Sequence, residues 1–433
     1  MSAISTSVDA GTMTGKYWSD FPRADRLIHK HVTIVGAGII GLTTAAALVR
    51  SGRSVTVIDS ATSVGMATSF GNGCQLSYGY VAPLAQPGLI AELPKLLFSK
   101  GSPLRIVPRM DPEQWAWMLK FLRACSKSIA QRNSLELLTL GQLSHQETDM
   151  WLEGADAESL SFTRSGKLVV LPSAESLAKA KAQVELQSGL GPLQRAVTEE
   201  ETLAIEPALA TFRGRMAGSI FTDSECAVDS YALCKHLELQ LRARGVRFEL
   251  GKKVQGFKLT DNRVSHLVTD QGIHDVDGLV LATGPGSSAL AGKLGFTVPV
   301  YPLKGYSITA AILDPTRVPK VSVTDSSKKV VYARIGSRLR IAGVAEIRGY
   351  DSSIDARRIS ELVGHTRAAF GDAVDLSSVS AWTGLRPATP TSVPIIGVSP
   401  VRNVFLNVGH GALGLTLAFG SAKRLVDAIA APH

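Results

Sequence analysis

The stretch HVTIVGAGIIGLTTAAALVRSGRSVTVID, residues 31–59, decides the fold of this chain. It opens with a short apolar run, Val32–Val35, of the kind that forms a buried strand. An Ala- and Leu-rich segment follows and ends at Arg50, and Val55–Ile58 is a second, β-branched run. Strand, helix and strand in this order predict the start of a right-handed βαβ unit.

Three glycines, Gly36, Gly38 and Gly41, stand between the first strand and the helix. In a dinucleotide-binding fold such glycines allow a tight turn, close approach to a pyrophosphate, and close packing of helix on strand. Asp59 ends the second strand, where a carboxylate accepts hydrogen bonds from ribose hydroxyls. The pattern therefore predicts a dinucleotide site. The alternative is a tight βα turn that binds no ligand.

The glycine pattern does not distinguish NAD from FAD, but three later features favour FAD. The Gly71–Gly73 loop is expected to cover a flavin, and the strand end Ala282–Gly284 returns to the nucleotide. A glycine-rich turn, Gly409–Gly411, opens the last helix. A helix N-terminus at the pyrimidine side of a flavin would stabilise the anionic charge of the reduced ring.

The remaining sequence predicts an α/β protein in which the chain crosses between two domains. We expect a polar N-terminal extension over residues 1–30. We expect an FAD-binding Rossmann-like domain to comprise residues 31–90, 228–290 and 381–433. A second, α+β substrate-binding domain with a mostly antiparallel sheet should comprise residues 91–227 and 291–380.

Composition limits the functional classes. The 433 residues are 45% hydrophobic and carry a formal net charge of +9, but the basic residues occur as isolated pairs such as Arg357-Arg358. Nucleic-acid binding is therefore not expected. The four cysteines lack metal-ligand spacing, so we predict no metal site and a reducing compartment. Without a signal-like or membrane-spanning apolar run, the expected location is cytoplasmic, with peripheral contact at the inner face of the cell membrane left open.

The sequence resembles the FAD-dependent D-amino-acid oxidase superfamily, and most closely the bacterial D-amino acid dehydrogenases of the small-subunit type. Three central stretches carry the resemblance: residues 72–83, 300–307 and 382–387. Residues 32–59 and 407–414 support it, and the similarity extends from about residue 31 to residue 430.

The resemblance implies oxidation of a D-amino acid, of which D-proline and hydroxy-D-proline are candidates. Hydride passes to flavin N5, and the resulting imine is hydrolysed to a 2-oxo acid and ammonia. The electrons then reach a quinone or a dye. An oxygen-dependent oxidase of the glycine or sarcosine type is one alternative, and the FAD-bearing subunit of a heteromeric dehydrogenase complex is another. The sequence does not determine the chirality or side chain of the preferred substrate, nor the oligomeric state of the protein.

The resemblance also assigns the candidate catalytic residues. Arg386 would hold the substrate carboxylate, unless it pairs with a structural carboxylate. Tyr80 and Tyr306 would add a hydrogen bond or a pocket wall, unless they are packing residues. His410 would tune the flavin or approach the substrate, unless it is only a satisfied residue at a helix start. We assign no general base, since hydride transfer from a neutral amine needs none.

The residues expected to contact FAD lie in the glycine turn, at the end of the second strand, in the following loop and in the later turns. They are Gly36, Gly38, Ile39, Ile40, Gly41, Asp59, Ser60, Ser69, Asn72, Gly73, Gln75, Leu76, Val254, Thr283, Gly284, Gly409, Gly411, Leu413 and Gly414.

One segment bears on membrane contact. Apolar residues recur there at helical spacing, with cations beside them: Trp115, Met118, Leu119 and Leu122, with Lys120, Arg123 and Lys127. This pattern fits a basic amphipathic helix on an anionic membrane surface, and it equally fits a helix packed on the core.

Overall fold

The computed structural model describes residues 29–90 and 104–430. The described strands are β1 (His31–Val35), β2 (Ser54–Asp59), β3 (Gln75–Leu76), β4 (Leu104–Ile106), β5 (Lys167–Leu171), β6 (Gln194–Val197), β7 (Gly218–Thr222), β8 (Cys226–Ala227), β9 (Arg247–Leu250), β10 (Val254–Thr260), β11 (Arg263–Thr269), β12 (Gly272–Asp275), β13 (Gly278–Leu281), β14 (Tyr301–Ala311), β15 (Ser322–Asp325), β16 (Val330–Ile335), β17 (Arg338–Ile347), β18 (Ser380–Ala388), β19 (Ile395–Val398) and β20 (Val404–Val408). The described α-helices are α1 (Ile39–Arg50), α2 (Pro112–Ala124), α3 (Lys127–Trp151), α4 (Ala174–Leu186), α5 (Glu199–Ile205), α6 (Ser230–Ala243), α7 (Ser287–Lys293), α8 (Ala356–Phe370) and α9 (Gly414–Ala430).

The first sheet has the strand order β19-β20-β13-β1-β2-β9. Its central strands run parallel, and β19 is antiparallel to β20. Residues of α1, α6 and α9 pack on one face, and the small sheet β10-β11-β12 contributes Val264 and Leu267 to the core on the other. Burial on both faces explains the continuous apolar runs of β1 and β2. The predicted βαβ start is therefore present.

The second sheet has the strand order β18-β14-β17-β16-β15-β5-β7-β6, with β4 beside β17. Among the described strands, six of its eight pairings are antiparallel, and only β15–β5 and β17–β4 are parallel. The predicted fold class, a Rossmann-like domain with an α+β domain carrying a mostly antiparallel sheet, is confirmed.

Two domain boundaries in the structure differ from the expected ones. Strand β18 pairs with β14 from Ser380 to Ala388, so residues 381–388 belong to the second sheet and not to the first. Phe296 and Val300 pack in a core with the first sheet, so that domain continues past residue 290. We therefore place the boundaries after Val300 and after Ala388. Of the expected extension, residues 1–28 lie outside the described residues, whereas His29 is buried against the first sheet.

The two faces of the second sheet carry different chemistry. We call the face with Gly305, Arg340 and Arg386 the front face, since strand pairing places these positions on one side. The back face carries Ile308 and Ile341 and is covered by residues of α8.

Within the described residues, no helix is long and apolar enough to cross a membrane.

Candidate active site

The glycine turn after β1 tolerates no side chains at two positions. Gly36 has φ of +115°, and a Cβ there would collide with the Ala282 carbonyl of the neighbouring strand end. A Cβ on Gly41 would collide with the Gly36 carbonyl. The turn is therefore tight and lies directly against the end of β13, as close approach of a pyrophosphate requires.

The N-terminus of α1 contains no side chain that would repel an anion. Gly38 is the N-cap and supplies no capping side chain, and the first turn contains no acidic residue. The Ile39 amide donates to Ser69 Oγ at 3.0 Å, which brings the next loop to the helix start. Because the Ile39 side chain is buried in the core, a phosphate would meet the backbone of this turn.

Asp59 connects the glycine turn to the end of β2. Its Oδ2 accepts from the Ala37 amide at 2.6 Å and its Oδ1 from the Ala61 amide at 2.8 Å. Each oxygen keeps a further lone pair for a ribose hydroxyl. The Lys252 amide donates to the Asp59 carbonyl at 2.9 Å, which brings the start of β10 at Val254 towards the nucleoside end. Ser60 is exposed beside it.

A segment that we call the strap, Phe70–Gln75, crosses the front face of the second sheet. Ser307 Oγ donates to the Gly71 carbonyl at 2.7 Å, and Arg340 Nη1 donates to the Asn72 carbonyl at 2.9 Å. The Cys74 amide donates to Asn72 Oδ1 at 2.8 Å. These bonds fix the loop that is expected to cover the flavin.

The strap continues to the start of the last helix. Thr416 Oγ1, in the first turn of α9, donates to the Gln75 carbonyl at 3.3 Å. A Cβ on Gly73 would lie 3.0 Å from a methyl group of Val331, so a side chain there would press on the sheet. Leu76 is buried in the core of the first domain, which limits it to backbone contact with a cofactor.

Three glycine turns meet at one edge of the first sheet. The turns at Gly36, Gly284 and Gly409 follow β1, β13 and β20, which run parallel, so their carboxyl ends lie at the same edge. Gly409 has φ of +84°, and a Cβ there would press on the Thr389 methyl group. Gly411, Leu413 and Gly414 then lead into α9. This edge fits an elongated dinucleotide. The glycine turns lack side chains that would block it, so a bound group can approach the backbone along the edge.

The Arg386 guanidinium lies over Gly305 of the neighbouring strand, where a Cβ would overlap it. Its Nη1 donates to the Val344 carbonyl at 3.0 Å. Val344 is at a β-bulge in β17 with φ of +62°, an unusual conformation for a β-branched residue. In the part of the chain that the structure describes, no carboxylate lies within ion-pair distance of Arg386. Burial lowers the pKa of this guanidinium to about 10, so it stays cationic at neutral pH.

The structure corrects the expectation for Tyr306. Its side chain is on the back face, opposite to Arg386, because the two residues are one position out of phase across the β14–β18 pairing. The Tyr306 hydroxyl donates to Glu346 Oε2 at 3.1 Å, and Arg358 binds the other oxygen of Glu346 at 2.8 Å. Tyr306 therefore helps attach α8 and does not reach a substrate bound by Arg386.

The structure likewise corrects the expectation for His410. The imidazole is buried and its Nε2 lies 3.1 Å from Ser421 Oγ in α9. Burial lowers the pKa of His410 to about 3, so the ring is neutral. Its backbone forms an isolated bridge with Ala388, next to the strand end that carries Arg386. These contacts are those expected for the alternative, a satisfied residue at the helix start.

Tyr80 is also separated from Arg386. Its ring lies 4.5 Å from Lys167 Nζ, and Lys167 is on β5, five strands away from β18 in the sheet order. Lys167 donates to Ser77 Oγ at 2.7 Å. The ring is partly exposed, and the described contacts do not bring it to Arg386.

Sequence reasoning missed Gly305 and Val344, the two residues that fix the Arg386 guanidinium. Gly305 lies inside the segment 300–307 that supported the resemblance, so the glycine was a usable signal. Val344 gave no signal, because its carbonyl orientation depends on the bulge and not on its side chain.

The glycine-lined edge, next to a sheet face that carries cationic side chains, defines a class, a dinucleotide-dependent enzyme. Residues 31–428 match the family described as FAD dependent oxidoreductase, and the chain belongs to that family. Its cofactor is FAD, and the observed cradle fits that group.

The chain is similar to curated relatives over nearly its full length. It is 43% identical to D-amino acid dehydrogenase 2 of Ralstonia nicotianae, over 92% of this chain and 96% of that one. It is 40% identical to D-amino acid dehydrogenase 2 of Pseudomonas aeruginosa, over 92% and 95%.

Solved structures share the fold. The L-proline dehydrogenase from P. horikoshii superposes with a TM-score of 0.71 at 17% identity, over 92% of each chain. The glycine oxidase from Bacillus cereus superposes with a TM-score of 0.70 at 16% identity, over 92% of this chain and 94% of that one.

Proposed function

We propose that the protein is an FAD-dependent D-amino acid dehydrogenase. One observation carries the proposal: Arg386 is a cationic guanidinium on the front face with no carboxylate partner among the described residues. A substrate carboxylate would supply the anionic partner of this guanidinium. The relatives named D-amino acid dehydrogenase, which match 92% of the chain, support this substrate class.

The chain's own residues act by binding and orienting the substrate. Bound FAD supplies a two-electron acceptor. Arg386 would grip the carboxylate with two parallel hydrogen bonds, while Val344 and Gly305 fix the plane of the guanidinium. Such positioning provides much of the rate when a hydrogen on Cα must face the acceptor. Loss of the Cα hydrogen as hydride and of an N–H proton converts the amino acid to an imine, which water hydrolyses to a 2-oxo acid and ammonia.

Replacing Arg386 tests the proposal. Arg386→Ala should lower kcat/KM for D-amino acids by roughly 100-fold or more, because a bidentate charged contact is lost. The flavin absorbance per protein should stay at the wild-type level. Arg386→Lys should have a lower KM than Arg386→Ala, since lysine keeps the positive charge but lacks the planar guanidinium. Unchanged kinetics in Arg386→Ala would exclude the role in carboxylate binding.

A panel of D- and L-amino acids with a dye acceptor identifies the substrate. D-proline and hydroxy-D-proline should be among those tested. Reduction of the bound flavin by substrate, followed by slow reoxidation in air, is the expected result for a dehydrogenase. Fast reoxidation in air would instead indicate an oxidase. Turnover by the purified single chain would exclude the need for a partner subunit.

We also propose peripheral contact with an anionic membrane through α2. Trp117 and Phe121 hold this helix on the protein core. Trp115, 52% exposed, and Leu119, 69% exposed, face outward beside the exposed Arg123. An apolar surface flanked by cations suits the interface of a lipid bilayer.

A further inference from the structure

A cavity of about 430 Å³ lies on the front face, beyond the strap from Arg386. Three aromatic residues, Phe70, Tyr231 and Trp382, line it together with Arg338. Phe70 and Tyr231 are in ring contact, with centroids 4.9 Å apart. The cavity thus has the size and the walls for a single planar ring with substituents.

Strand register shows why these groups share one cavity. Ser380, Trp382 and Arg386 alternate along β18, so all three point to the front face. Trp382 precedes Arg386 by four residues, which is roughly 13 Å along an extended strand. A Cβ on Gly71 of the strap or on Gly384 would collide with the Trp382 indole. The indole is therefore held between strand and strap, as a fixed wall between the cavity and the Arg386 side.

The charges in this cavity favour a ligand with electron-rich oxygens. Arg338, half exposed, lies 3.1 Å from Asp229 Oδ2. Arg340 is 6% exposed and donates to Thr309 Oγ1 and to the strap, with no carboxylate at ion-pair distance among the described residues. Two guanidinium groups against one carboxylate leave the cavity cationic.

We propose that this cavity binds the quinone that takes the electrons, an assignment that rests on the proposed dehydrogenase function. Aromatic walls would stack on the quinone ring, and Arg338 would donate to a quinone oxygen as negative charge develops there. Overall, the amino acid loses two electrons and two protons as its Cα–H and N–H bonds break and a C=N bond forms. The quinone gains both electrons and both protons and becomes a quinol with two new O–H bonds.

Two variants alter the cavity by opposite means. Ser380→Trp fills it from an exposed strand position, and Arg338→Ala removes a donor. The control is Arg317→Ala, since Arg317 is 53% exposed, pairs with Asp372 at 2.7 Å and lies outside the cavity. Calorimetry on the oxidised holoenzyme with a water-soluble dimethoxy-methyl-benzoquinone measures binding without turnover. Anaerobic stopped flow then measures flavin reduction by D-amino acid and reoxidation by the quinone separately.

We expect Ser380→Trp to weaken quinone binding and to slow reoxidation by at least about tenfold, because the ring no longer fits. Arg338→Ala should weaken binding by roughly three- to tenfold. Reduction by the amino acid should match wild type in both, and Arg317→Ala should change neither step. Wild-type quinone affinity in both cavity variants would overturn the assignment. A wild-type holoenzyme that no D-amino acid reduces would instead refute the proposed function, while the binding measurement would still test the cavity.

Discussion

Gly305 is the residue on which the position of Arg386 depends, because the guanidinium lies where a Cβ would be. Gly305→Ala should displace it and lower kcat/KM for D-amino acids by roughly tenfold or more, mainly through KM. Steady-state kinetics and flavin absorbance give the result, and Gly256→Ala, where a Cβ meets nothing within 4 Å, is the control.

A double-mutant cycle separates positioning from general damage. In an Arg386→Ala background, Gly305→Ala should have no further effect on kcat/KM, since the group that it displaces is absent. Additive losses would show that Gly305 acts on the sheet and not through Arg386.

The buried imidazole of His410 makes stability depend on pH. Its pKa is lowered to about 3 in the folded protein, against an ordinary value near 6.5 when unfolded. Below about pH 6.5 the unfolded chain binds a proton that the folded chain does not, so stability is lost as the pH falls. From pH 7 to pH 5 this loss amounts to about 2 kcal/mol.

Urea denaturation of wild type and His410→Asn at several pH values measures this contribution. The variant should lose about 2 kcal/mol less than wild type between pH 7 and pH 5, because it has no imidazole to protonate. Parallel pH profiles for the two proteins would show that His410 is not buried as a neutral ring.

At the scale of elements, the sequence best predicted the strands, turns and helices that follow one another closely along the chain. The first strand, the glycine turn, α1 and the strand ending in Asp59 follow within 29 residues, and each carries its own signal of periodicity or backbone freedom.

The errors came from pairing between distant segments. Strand β18 pairs with residues of β14 that lie 71 to 87 positions earlier in the chain, and the sequence alone assigned residues 381–388 to the domain of the other sheet. Which face Tyr306 occupies depends on that register, and a slip of one position reverses it. The Val344 bulge that aims a carbonyl at Arg386 has no side-chain signature at all. Long-range register was thus the missing information.

At the scale of the whole molecule, the net charge and the exposed apolar side chains both support the proposed contact with an anionic membrane. The chain carries a net charge of +9, and α2 presents Trp115 and Leu119 outward, next to the fully exposed Met110. Under the proposed membrane contact, the cations would attract an anionic bilayer, and the apolar side chains would then insert at its interface. Because α2 is fixed to the core through Trp117, insertion would orient the entire protein on the surface.

Leu119→Asp tests this orientation. It should reduce co-sedimentation with phosphatidylglycerol-containing vesicles by roughly tenfold, because it removes an inserting side chain and adds a repelled charge. Leu313→Asp is the matched control, since Leu313 is 64% exposed against 69% for Leu119 but lies in another part of the chain. Wild-type protein should also dissociate at high salt and should not bind neutral phosphatidylcholine vesicles. Equal binding by the two variants, or binding that ignores lipid charge, would rule out α2 as the contact surface.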